Sequence, residues 1–323
     1  MTFYRDRAVL VTGGLGFIGC NVTDRLAALG ARVTVVTPSR ARHAESAQAF
    51  ERRGVRIVEA DVRDREAMRA AVAEPEMIFN LAGQSGAVRS VDDPLTDLDI
   101  NCRGSLVLLE AVREMNRDAK IVFSSSRLAY GHVGEQPVRE DRDVAPRCTH
   151  AIHKLAVEQY LRMYQQLFGL RYATARITNP YGPGQPGERT DYGVVNRMIH
   201  LALAGEAITV YGDGRQRRDY IYIDDVVEAL LQLGERGAAD GSTYNIGTGI
   251  GTPLVDMARG IMAMAGGGHL EHVPWPILAQ QIETGDFVAD ITRIQTDLGW
   301  QPRVALEDGL RRTVAHYRAH VAS

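Results

Sequence analysis

The first chemical signal in the chain is a glycine-rich segment, Thr12–Gly19, with the sequence TGGLGFIG. Its glycines permit a tight turn and let backbone N–H groups come close to a pyrophosphate. The segment follows an apolar run and begins a helical pattern, so the positive end of the helix dipole would face the same anion. This context favours a dinucleotide-binding loop over a strand–helix turn that needs glycine only for its backbone angles. The residues assigned to the loop are Gly13, Gly16, Phe17, Ile18 and Gly19.

The end of the second apolar run is the usual place of an acidic residue that holds the ribose 2′-hydroxyl of a dinucleotide. Thr37 stands there instead, and Ser39, Arg40 and Arg42 follow it. The loss of a carboxylate and the gain of two cations suit a 2′-phosphate, which makes NADP physically reasonable. If the arginines are only a solvated helix start, NAD binds without the carboxylate. The sequence leaves NAD or NADP undecided, with Thr37, Ser39 and Arg40 as contact residues.

A parallel sheet is the scaffold that would bring these segments together. Apolar, often β-branched runs predict strands buried on both faces at Ala8–Gly13, Arg32–Val36, Val55–Ala60, Met77–Ala82 and Lys120–Ser125. Helices are predicted between them at Phe17–Leu29, Ala41–Arg53, Arg65–Ala73 and Leu95–Met115, with Asp64 as N-cap of the third. This alternation predicts the α/β class, a doubly wound parallel (Rossmann) sheet. Asp61 and Val62 follow the third strand, where they would contact the adenine, unless Asp61 is an ordinary turn acid.

The pattern changes after Arg176. The Gly- and Pro-rich stretch Asn179–Gly193 predicts a long loop, and a loop of this length within a compact domain is usually functional. Short strands and helices follow, which predict a smaller lobe that closes over ligands at the carboxyl edge of the sheet. We therefore expect a dinucleotide-binding domain at 1–176 and mostly a substrate lobe at 177–323, from which some chain can return to the sheet.

Composition narrows the function classes. The chain has 323 residues, 45% of them hydrophobic, and its 37 Lys and Arg against 40 Asp and Glu give a net charge of −3. It can bury a sizeable core, and it lacks the basic excess of a nucleic-acid binder. Three cysteines without a CxxC pair argue against a disulfide framework or structural zinc, and the histidines lack metal-ligand spacing. With no room for a signal peptide and no apolar run of ~18–20 residues, we expect a cytoplasmic enzyme of small molecules, without membrane contact.

Several motifs together resemble the extended short-chain dehydrogenase/reductase family, which includes NAD-dependent nucleotide-sugar epimerases and dehydratases. They follow the family's order across nearly the whole chain: TGGLGFIG, NLAG (80–83), Asn101, SSSRLAYG (124–131), Lys154, NPYGPGQ (179–185), YGDGRQRRDYIYIDD (211–225) and YNIGTG (244–249). The stretch Asn80–Arg113 is particularly similar to NDP-sugar 4-epimerases and CDP-tyvelose 2-epimerases. The resemblance implies a nicotinamide cofactor, a nucleotide diphosphate sugar as substrate, and a homodimer paired through the helices Leu95–Met115 and His150–Phe168.

The resemblance also implies a catalytic set in which a Ser or Thr, a Tyr and a Lys act on a sugar hydroxyl beside the nicotinamide. Ser126 and Lys154 match two of these positions, and Lys154 would also bind the nicotinamide ribose. The tyrosine of the YxxxK motif is absent, and His150 stands four residues before the lysine. The further cofactor contacts that the resemblance implies are Leu81, Ala82, Gly83, Asn101 and Ser124.

His150 and Lys154 share one face of a helix because they are four residues apart. An imidazole titrates near ~6.5, and a neighbouring Lys⁺ with a positive nicotinamide would keep it neutral and able to accept a proton. His150 is therefore the candidate acid/base in place of tyrosine. Two alternatives stay open: another base, such as Tyr130, or a protein that binds nucleotide sugars without full redox chemistry.

The residues after Ser126 also depart from the family pattern. Dehydratases of the family carry Asp-Glu directly after the Ser/Thr, whereas Arg127 and Leu128 stand here. Without these carboxylates, 4,6-dehydration is disfavoured. Arg127 either reads an anionic substituent of the sugar or is solvated.

The diphosphate of the substrate has two candidate ligands. Asn179 and Arg218 match family positions that hold it, although Arg218 also fits a surface basic cluster. Family members usually carry a second arginine shortly before the Gly-Asp pair that is Gly285-Asp286 here, and residues 280–283 contain none. The substrate residues assigned by the resemblance are Gln84, Arg127, Asn179 and Arg218.

One function is favoured over two others. The leading hypothesis is a nucleotide-sugar epimerase that transiently oxidises a sugar hydroxyl, at C4 or C2, with a tightly bound nicotinamide cofactor. His150 would move the hydroxyl proton with the help of Ser126. The alternatives are an NDP-sugar ketoreductase or atypical dehydratase that uses external NADPH, and a non-catalytic nucleotide-sugar-binding protein.

Overall fold

A computed structural model describes residues 2–185 and 193–321. Its strands are β1 (Ala8–Thr12), β2 (Arg32–Thr37), β3 (Arg56–Glu59), β4 (Met77–Asn80), β5 (Lys120–Ser126), β6 (Arg171–Ile177), β7 (Asn179–Tyr181), β8 (Ala207–Tyr211), β9 (Arg217–Tyr222), β10 (Ser242–Ile246), β11 (Gly251–Pro253) and β12 (His269–Val273). Its α-helices are α1 (Phe17–Ala28), α2 (Ala44–Arg52), α3 (Arg65–Ala71), α4 (Ala87–Asp92), α5 (Pro94–Asp97), α6 (Gly104–Met115), α7 (Thr149–Phe168), α8 (Val194–Leu203), α9 (Ile223–Glu235), α10 (Leu254–Ala265), α11 (Ile277–Ile282), α12 (Thr292–Leu298) and α13 (Leu306–Val321). A π-helical segment spans Leu98–Arg103, and 3₁₀ turns span Ala41–His43, Arg127–Tyr130 and Gly237–Ala239.

Seven strands form one parallel sheet in the order β10-β6-β5-β4-β1-β2-β3. The strand order reverses at β1, which pairs with β2 on one side and β4 on the other. The carboxyl ends of β1 and β4 therefore flank the crevice where doubly wound sheets bind ligands. This topology confirms the predicted α/β class, and β1 to β5 end within two residues of their predicted ends.

Helices cover both faces of the sheet, which explains why its inner strands are continuously apolar. In β1, Val9 and Val11 pack in one apolar cluster with Leu26 of α1. Leu10 lies between them and points the other way, into a second cluster with Leu109 of α6. Because successive strand residues point to opposite faces, a strand between two helix layers needs apolar side chains at every position.

The prediction of one continuous helix at Leu95–Met115 is wrong, because the chain forms two α-helices here with a π-helical segment between them. Asp93 caps a short α5 by accepting a hydrogen bond from the Thr96 N–H (3.2 Å), and Pro94 begins that helix. The chain then widens into the π-helical segment before α6 begins. The wider turn buries Asn101 and aims it inward. An extra residue in a turn leaves the apolar pattern on both sides intact, so the periodicity does not reveal it.

The loop predicted at Asn179–Gly193 is wrong at its start, where Asn179–Tyr181 form β7. This strand pairs in parallel with β9, Asn179 lying opposite Tyr220. β9 is the middle strand of a three-stranded sheet, with β7 on one side and β11 on the other. Residues 186–192 of the predicted loop lie outside the described residues.

The C-terminal half also contributes to the main sheet. β10 pairs with β6 from Ser242 opposite Ala173 to Ile246 opposite Ile177. The sheet edge beside β6 is therefore formed by chain from the predicted substrate lobe. Within the described residues, no helix is both long and apolar enough to cross a bilayer.

Asp219 anchors β9 in the smaller lobe. Its carboxylate is fully buried and accepts hydrogen bonds from the Thr248 N–H and hydroxyl (both 2.8 Å) and from the Gly249 N–H (3.0 Å). Because side chains alternate along a strand, this anchor directs Arg218 and Tyr220 to the opposite face of β9. The loop after β10 thus fixes the orientation of both residues.

Asp219→Asn replaces one acceptor oxygen by an NH₂ group that faces buried N–H donors. We expect the free energy of unfolding to fall by about 2–4 kcal/mol. Urea denaturation followed by circular dichroism measures this loss. Asp118→Asn, at an exposed position, is the matched control and should change the value by less than ~0.5 kcal/mol. Equal effects of the two substitutions would contradict the anchoring role.

Candidate active site

The glycine-rich loop lies between the carboxyl ends of β1 and β4. Gly13 has a φ of +67°, and a Cβ there would lie 2.8 Å from Ala82 Cα, so the backbone needs glycine at this position. Thr12 donates its hydroxyl hydrogen bond to Asn80 Oδ1 (2.9 Å) and accepts one from the Ala82 N–H (3.2 Å). These bonds hold the segment after β4 against the loop. Of the predicted loop residues, Gly16 is the N-cap of α1, and Phe17, Ile18 and Gly19 form its first turn.

The ribose end of the predicted cofactor site lies after β2 and β3. Thr37 is buried at the end of β2, and Ser39 Oγ accepts a hydrogen bond from the Arg42 N–H (3.4 Å). Arg40 forms an ion pair with Glu51. One of the two cations that favoured a 2′-phosphate is therefore already paired with a carboxylate.

The predicted adenine contacts, Asp61 and Val62, follow β3. Asp61 accepts hydrogen bonds from Arg63 Nε (2.8 Å) and Nη2 (2.7 Å). These hydrogen bonds lower the pKa of the Asp61 carboxyl group and keep it ionised. Val62 packs partly buried against the cluster that contains Leu109.

Lys154, Asn101 and Gly83 meet where the nicotinamide end of the cofactor is predicted. Lys154 Nζ donates a hydrogen bond to Ser124 O (3.0 Å) and lies 4.9 Å from the centroid of the Phe123 ring. Burial lowers the pKa of Lys154 to about 8, although Asp97 opposes the shift. A Cβ on Gly83 would lie 2.5 Å from Asn101 Oδ1 and 3.3 Å from Lys154 Nζ, so a side chain at this position would displace the Asn101 amide.

Two buried polar atoms without partners lie in this region and are compatible with a bound ligand. Gln84 Nε2 and Asn101 Oδ1 are buried, and neither has a hydrogen-bond partner among the described residues. A buried donor or acceptor without a partner is unfavourable, which makes a ligand the natural partner. The predicted contacts Leu81, Ala82, Gly83, Asn101, Ser124 and Lys154 lie after β4, in the π-helical segment, at the end of β5 and on α7, around these atoms.

His150 lies in the first turn of α7, nearly buried, and contacts a carboxylate that sequence reasoning missed. Its backbone N–H donates to Ser90 Oγ (3.0 Å). Its ring Nδ1 lies 3.7 Å from Asp97 Oδ2 and 3.5 Å from Asn101 Nδ2. Asp97 is fully buried at the end of α5, and its Oδ1 lies 2.7 Å from Nδ1 of His153. The HxxH spacing of the two histidines was the signal in the sequence for a shared partner.

The electrostatics make His150 a neutral imidazole beside an ionised carboxylate. Burial lowers the pKa of His150 below 6.5, Asp97 partly opposes this, and Lys154 adds to it. Burial raises the pKa of Asp97, but hydrogen bonds from His150, His153 and Asn101 outweigh it, so that the net shift is downward. Nδ1 faces the Asp97 carboxylate, which only accepts, and the Asn101 Nδ2 amide, which only donates; we assign the proton to Nδ1 because the ionised acceptor is the stronger partner. In this tautomer Nε2 carries the lone pair of the ring.

Ser126 and Tyr130 have different surroundings. Ser126 ends β5, and its Oγ accepts a hydrogen bond from the Leu128 N–H (3.2 Å), which fixes the side chain and leaves its O–H free to donate. Tyr130 is buried and donates its O–H to Asn245 Oδ1 (2.7 Å). Burial raises the pKa of Tyr130 to about 12. Tyr130 is thus engaged in the core and is poorly suited to act as a base.

The predicted diphosphate ligands lie on neighbouring strands. Asn179 of β7 donates to Asp219 O (2.9 Å). Arg218 of β9 is largely buried and forms an ion pair with Glu283. Arg127 lies near this pair and donates to Thr284 Oγ1 (3.0 Å). Residues 280–283, where the resemblance predicts an arginine, instead contain Glu283, whose carboxylate pairs with Arg218.

Known proteins resemble this chain over nearly its whole length. Residues 9–247 match the model of the NAD dependent epimerase/dehydratase family. The UDP-glucose 4-epimerase of Mycolicibacterium smegmatis is 36% identical over 314 residues, which cover 96% of this chain and 98% of that protein. The structure of UDP-glucose 4-epimerase from Thermotoga maritima with UDP-glucose has a TM-score of 0.90 and 34% identity, covering 97% of this chain and 99% of that one. UDP-glucose 4-epimerase from Thermus thermophilus in complex with NAD has a TM-score of 0.86 and 33% identity, covering 96% and 99%.

The charge state of His150 can be measured directly. In protein with isotope-labelled histidine, the ring signal assigned by its loss in His150→Gln should titrate with a midpoint below 6.5. Asp97→Asn should lower this midpoint further, because Asp97 raises the pKa of His150. Asp118→Asn, remote from the ring, should leave the midpoint unchanged.

The same shift has a consequence for stability. Folding lowers the pKa of His150, so protonation favours the unfolded state. The neutral His150 ring therefore contributes to the free energy of unfolding at pH values above the pKa of the unfolded chain, near ~6.5. This stabilisation is lost as the pH falls through the lower pKa of the folded protein. A His150 midpoint above 6.5 would overturn the assignment of a neutral imidazole.

Proposed function

Because the chain belongs to the NAD dependent epimerase/dehydratase family, as its match over residues 9–247 shows, we propose that it is a nucleotide-sugar 4-epimerase. Its relatives include UDP-glucose 4-epimerases that match almost the whole chain. This similarity favours C4 over C2 as the carbon that is inverted, and a UDP-sugar as the first substrate to test. NAD is the cofactor that the family uses, and the pairing of Arg40 with Glu51 removes part of the argument for NADP.

Epimerisation fits the residues after Ser126 better than dehydration does. Elimination of water from a sugar needs an acid and a base at the reacting carbons. Arg127 and Leu128 occupy the two positions that follow Ser126, and neither carries a carboxylate. An epimerase needs only one acid/base at the hydroxyl that is oxidised and restored.

The observation that carries this proposal is the contact of Asp97 with the Nδ1 edge of His150. When bound, NAD supplies the site that takes a hydride from the sugar carbon and returns it to the other face. His150 Nε2 accepts the proton of the hydroxyl, and the Asp97 carboxylate stabilises the imidazolium that forms. Asp97 also holds the ring in one orientation, as a positioning residue.

Ser126 and Lys154 support this proton transfer. The Ser126 O–H donates to the sugar oxygen, while the Leu128 N–H, which Oγ accepts, holds the side chain in place. Lys154, held by Ser124 O, binds the nicotinamide ribose and disfavours a second positive charge on His150. His150 is thereby returned to its neutral form once the proton goes back to the sugar.

A homodimer is the assembly that we propose, from three exposed apolar side chains. Leu95 of α5 and Ile152 and Leu167 of α7 are 73%, 51% and 65% exposed. They lie on the two helices that are expected to pair subunits. Large exposed apolar side chains grouped on neighbouring helices are typical of protein–protein contacts.

His150→Ala should lower the rate of interconversion of UDP-glucose and UDP-galactose at least ~100-fold, because general acid–base catalysis contributes ~10²–10⁴-fold. Nuclear magnetic resonance of the sugar protons measures the rate, and NAD fluorescence shows that cofactor binding is retained. Asp97→Asn should lower kcat more than it raises KM, and His150→Tyr should recover part of the lost activity. His272→Ala, at an exposed histidine, is the control.

Three outcomes would contradict this function. Full activity of His150→Ala would exclude His150 as the acid/base. Release of a keto sugar with loss of water would indicate a dehydratase, and stoichiometric consumption of NADPH would indicate a ketoreductase. Binding without turnover of any nucleotide sugar in an NMR panel would indicate a binding protein.

Ile152→Glu together with Leu167→Glu should convert the dimer to a monomer, since the charges would be buried in the contact. Size-exclusion chromatography with light scattering measures the mass. Ile277→Glu, at an apolar residue that is 78% exposed on α11, should leave the dimer intact. A monomeric wild-type protein at micromolar concentration would refute the proposed assembly.

A further inference from the structure

Arg127 is a buried cation without an ion-pair partner among the described residues, although Glu283 and Asp219 are close enough to act on its charge. Its guanidinium is nearly buried, donates to the neutral Thr284 Oγ1 (3.0 Å) and lies 5.4 Å from the centroid of the Phe287 ring. No carboxylate of the described residues forms an ion pair with it. Burial, together with the charge of Arg218, lowers the pKa of Arg127 to about 9, and it stays protonated at neutral pH. A buried cation in this state is unfavourable unless an anion joins it.

The neighbouring carboxylate is committed to a different arginine. Glu283 forms an ion pair with Arg218, and its Oε1 also accepts the N–H groups of Thr284 (3.0 Å) and Gly285 (2.9 Å). Arg218 further donates to Gly285 O. The turn 283–285 thus contacts both guanidiniums, but its one carboxylate forms an ion pair with Arg218 and none with Arg127.

A second donor without a partner lies on the same face of β9 as Arg218. Tyr220 is buried on β9, and its Oη has no hydrogen-bond partner among the described residues. Burial raises the pKa of Tyr220 to about 12, although Arg218 and Arg127 are close enough to oppose the shift. Tyr220 therefore keeps its O–H as a donor. Buried hydroxyl groups nearly always have partners, so this one also points to a missing acceptor.

The position of Arg127 in the chain, directly after Ser126, indicates which part of the substrate it contacts. Arg127 follows Ser126, whose hydroxyl contacts the reacting sugar oxygen in the proposed function. Its guanidinium would thus lie beside the sugar, while Arg218 and Asn179 serve the diphosphate. We propose that Arg127 and Tyr220 bind a carboxylate on the sugar, so that the preferred substrate is a nucleotide-linked uronic acid. This inference rests on the proposed function, and guanidinium–carboxylate pairing gives it geometric specificity.

UDP-glucuronic acid and UDP-glucose test this proposal as a matched pair, because they differ only in a carboxylate against a hydroxymethyl group. Calorimetry with NAD-loaded protein should show tighter binding of UDP-glucuronic acid. Arg127→Gln should reduce the ratio of the two affinities ~10–100-fold, as expected for a charge-assisted hydrogen bond. Arg127→Lys should give a smaller loss, and Tyr220→Phe should reduce the ratio several-fold. Arg215→Gln, with a side chain exposed in the same basic segment, is the control and should not change it.

The outcomes separate this proposal from the proposed function. An equal loss of affinity for both ligands in a folded Arg127→Gln would mean that Arg127 binds the shared diphosphate, and would overturn the proposal. An unchanged ratio would overturn it as well. A ratio that depends on Arg127 without turnover of either sugar would refute the epimerase and keep the uronic-acid site. Interconversion of UDP-glucose and UDP-galactose by a protein whose affinity ratio does not depend on Arg127 would support the epimerase and refute the uronic-acid site.

Discussion

The buried carboxylate of Asp97 constrains most of the proposed active site. An ion removed from water is strongly unfavourable unless donors lie close to it, and α7 supplies two of them. Nδ1 of His153 lies 2.7 Å from Asp97 Oδ1, and Nδ1 of His150 lies 3.7 Å from Oδ2, an atom without a hydrogen-bond partner among the described residues. Lys154 lies one turn beyond His150 on α7, and Asn101 follows Asp97 in the π-helical segment. The ion therefore brings the proposed base His150, the proposed ribose-binding Lys154 and the amide of Asn101 into one arrangement.

The sequence predicted what local patterns encode. β1 to β5, the glycine-rich loop and the Asp64 N-cap depend on residues within a few positions of each other, and Asp64 does accept the Ala67 N–H. Asp97 escaped prediction because it stands among polar residues that look like an exposed helix surface. Its burial depends on α7, more than fifty residues later. The π-helical turn escaped for a related reason, since the apolar periodicity continues on both sides of it.

The substrate side shows how long-range contacts join departures that look independent in the sequence. Arg127 and Thr284 are 157 residues apart, yet they form a hydrogen bond. Two departures from the family pattern, the missing arginine in residues 280–283 and the arginine after Ser126, meet in space. Glu283 pairs with Arg218, while Arg127 donates only to the neutral hydroxyl of Thr284. A pattern read along the chain records each change separately, and the spatial link appears only in the fold.

The position of β10 has a consequence for how the protein can be divided. β10 covers the edge of β6, whose residues 172–177 are all buried. A fragment ending near residue 176 would expose that edge, with its row of unpaired N–H and C=O groups, to strands of other molecules. The part of the chain that is predicted to bind the dinucleotide, 1–176, is therefore not a detachable module. During synthesis it stays prone to edge-to-edge aggregation until residues 242–246 emerge, and gene fusions or split reporters should cut the chain elsewhere.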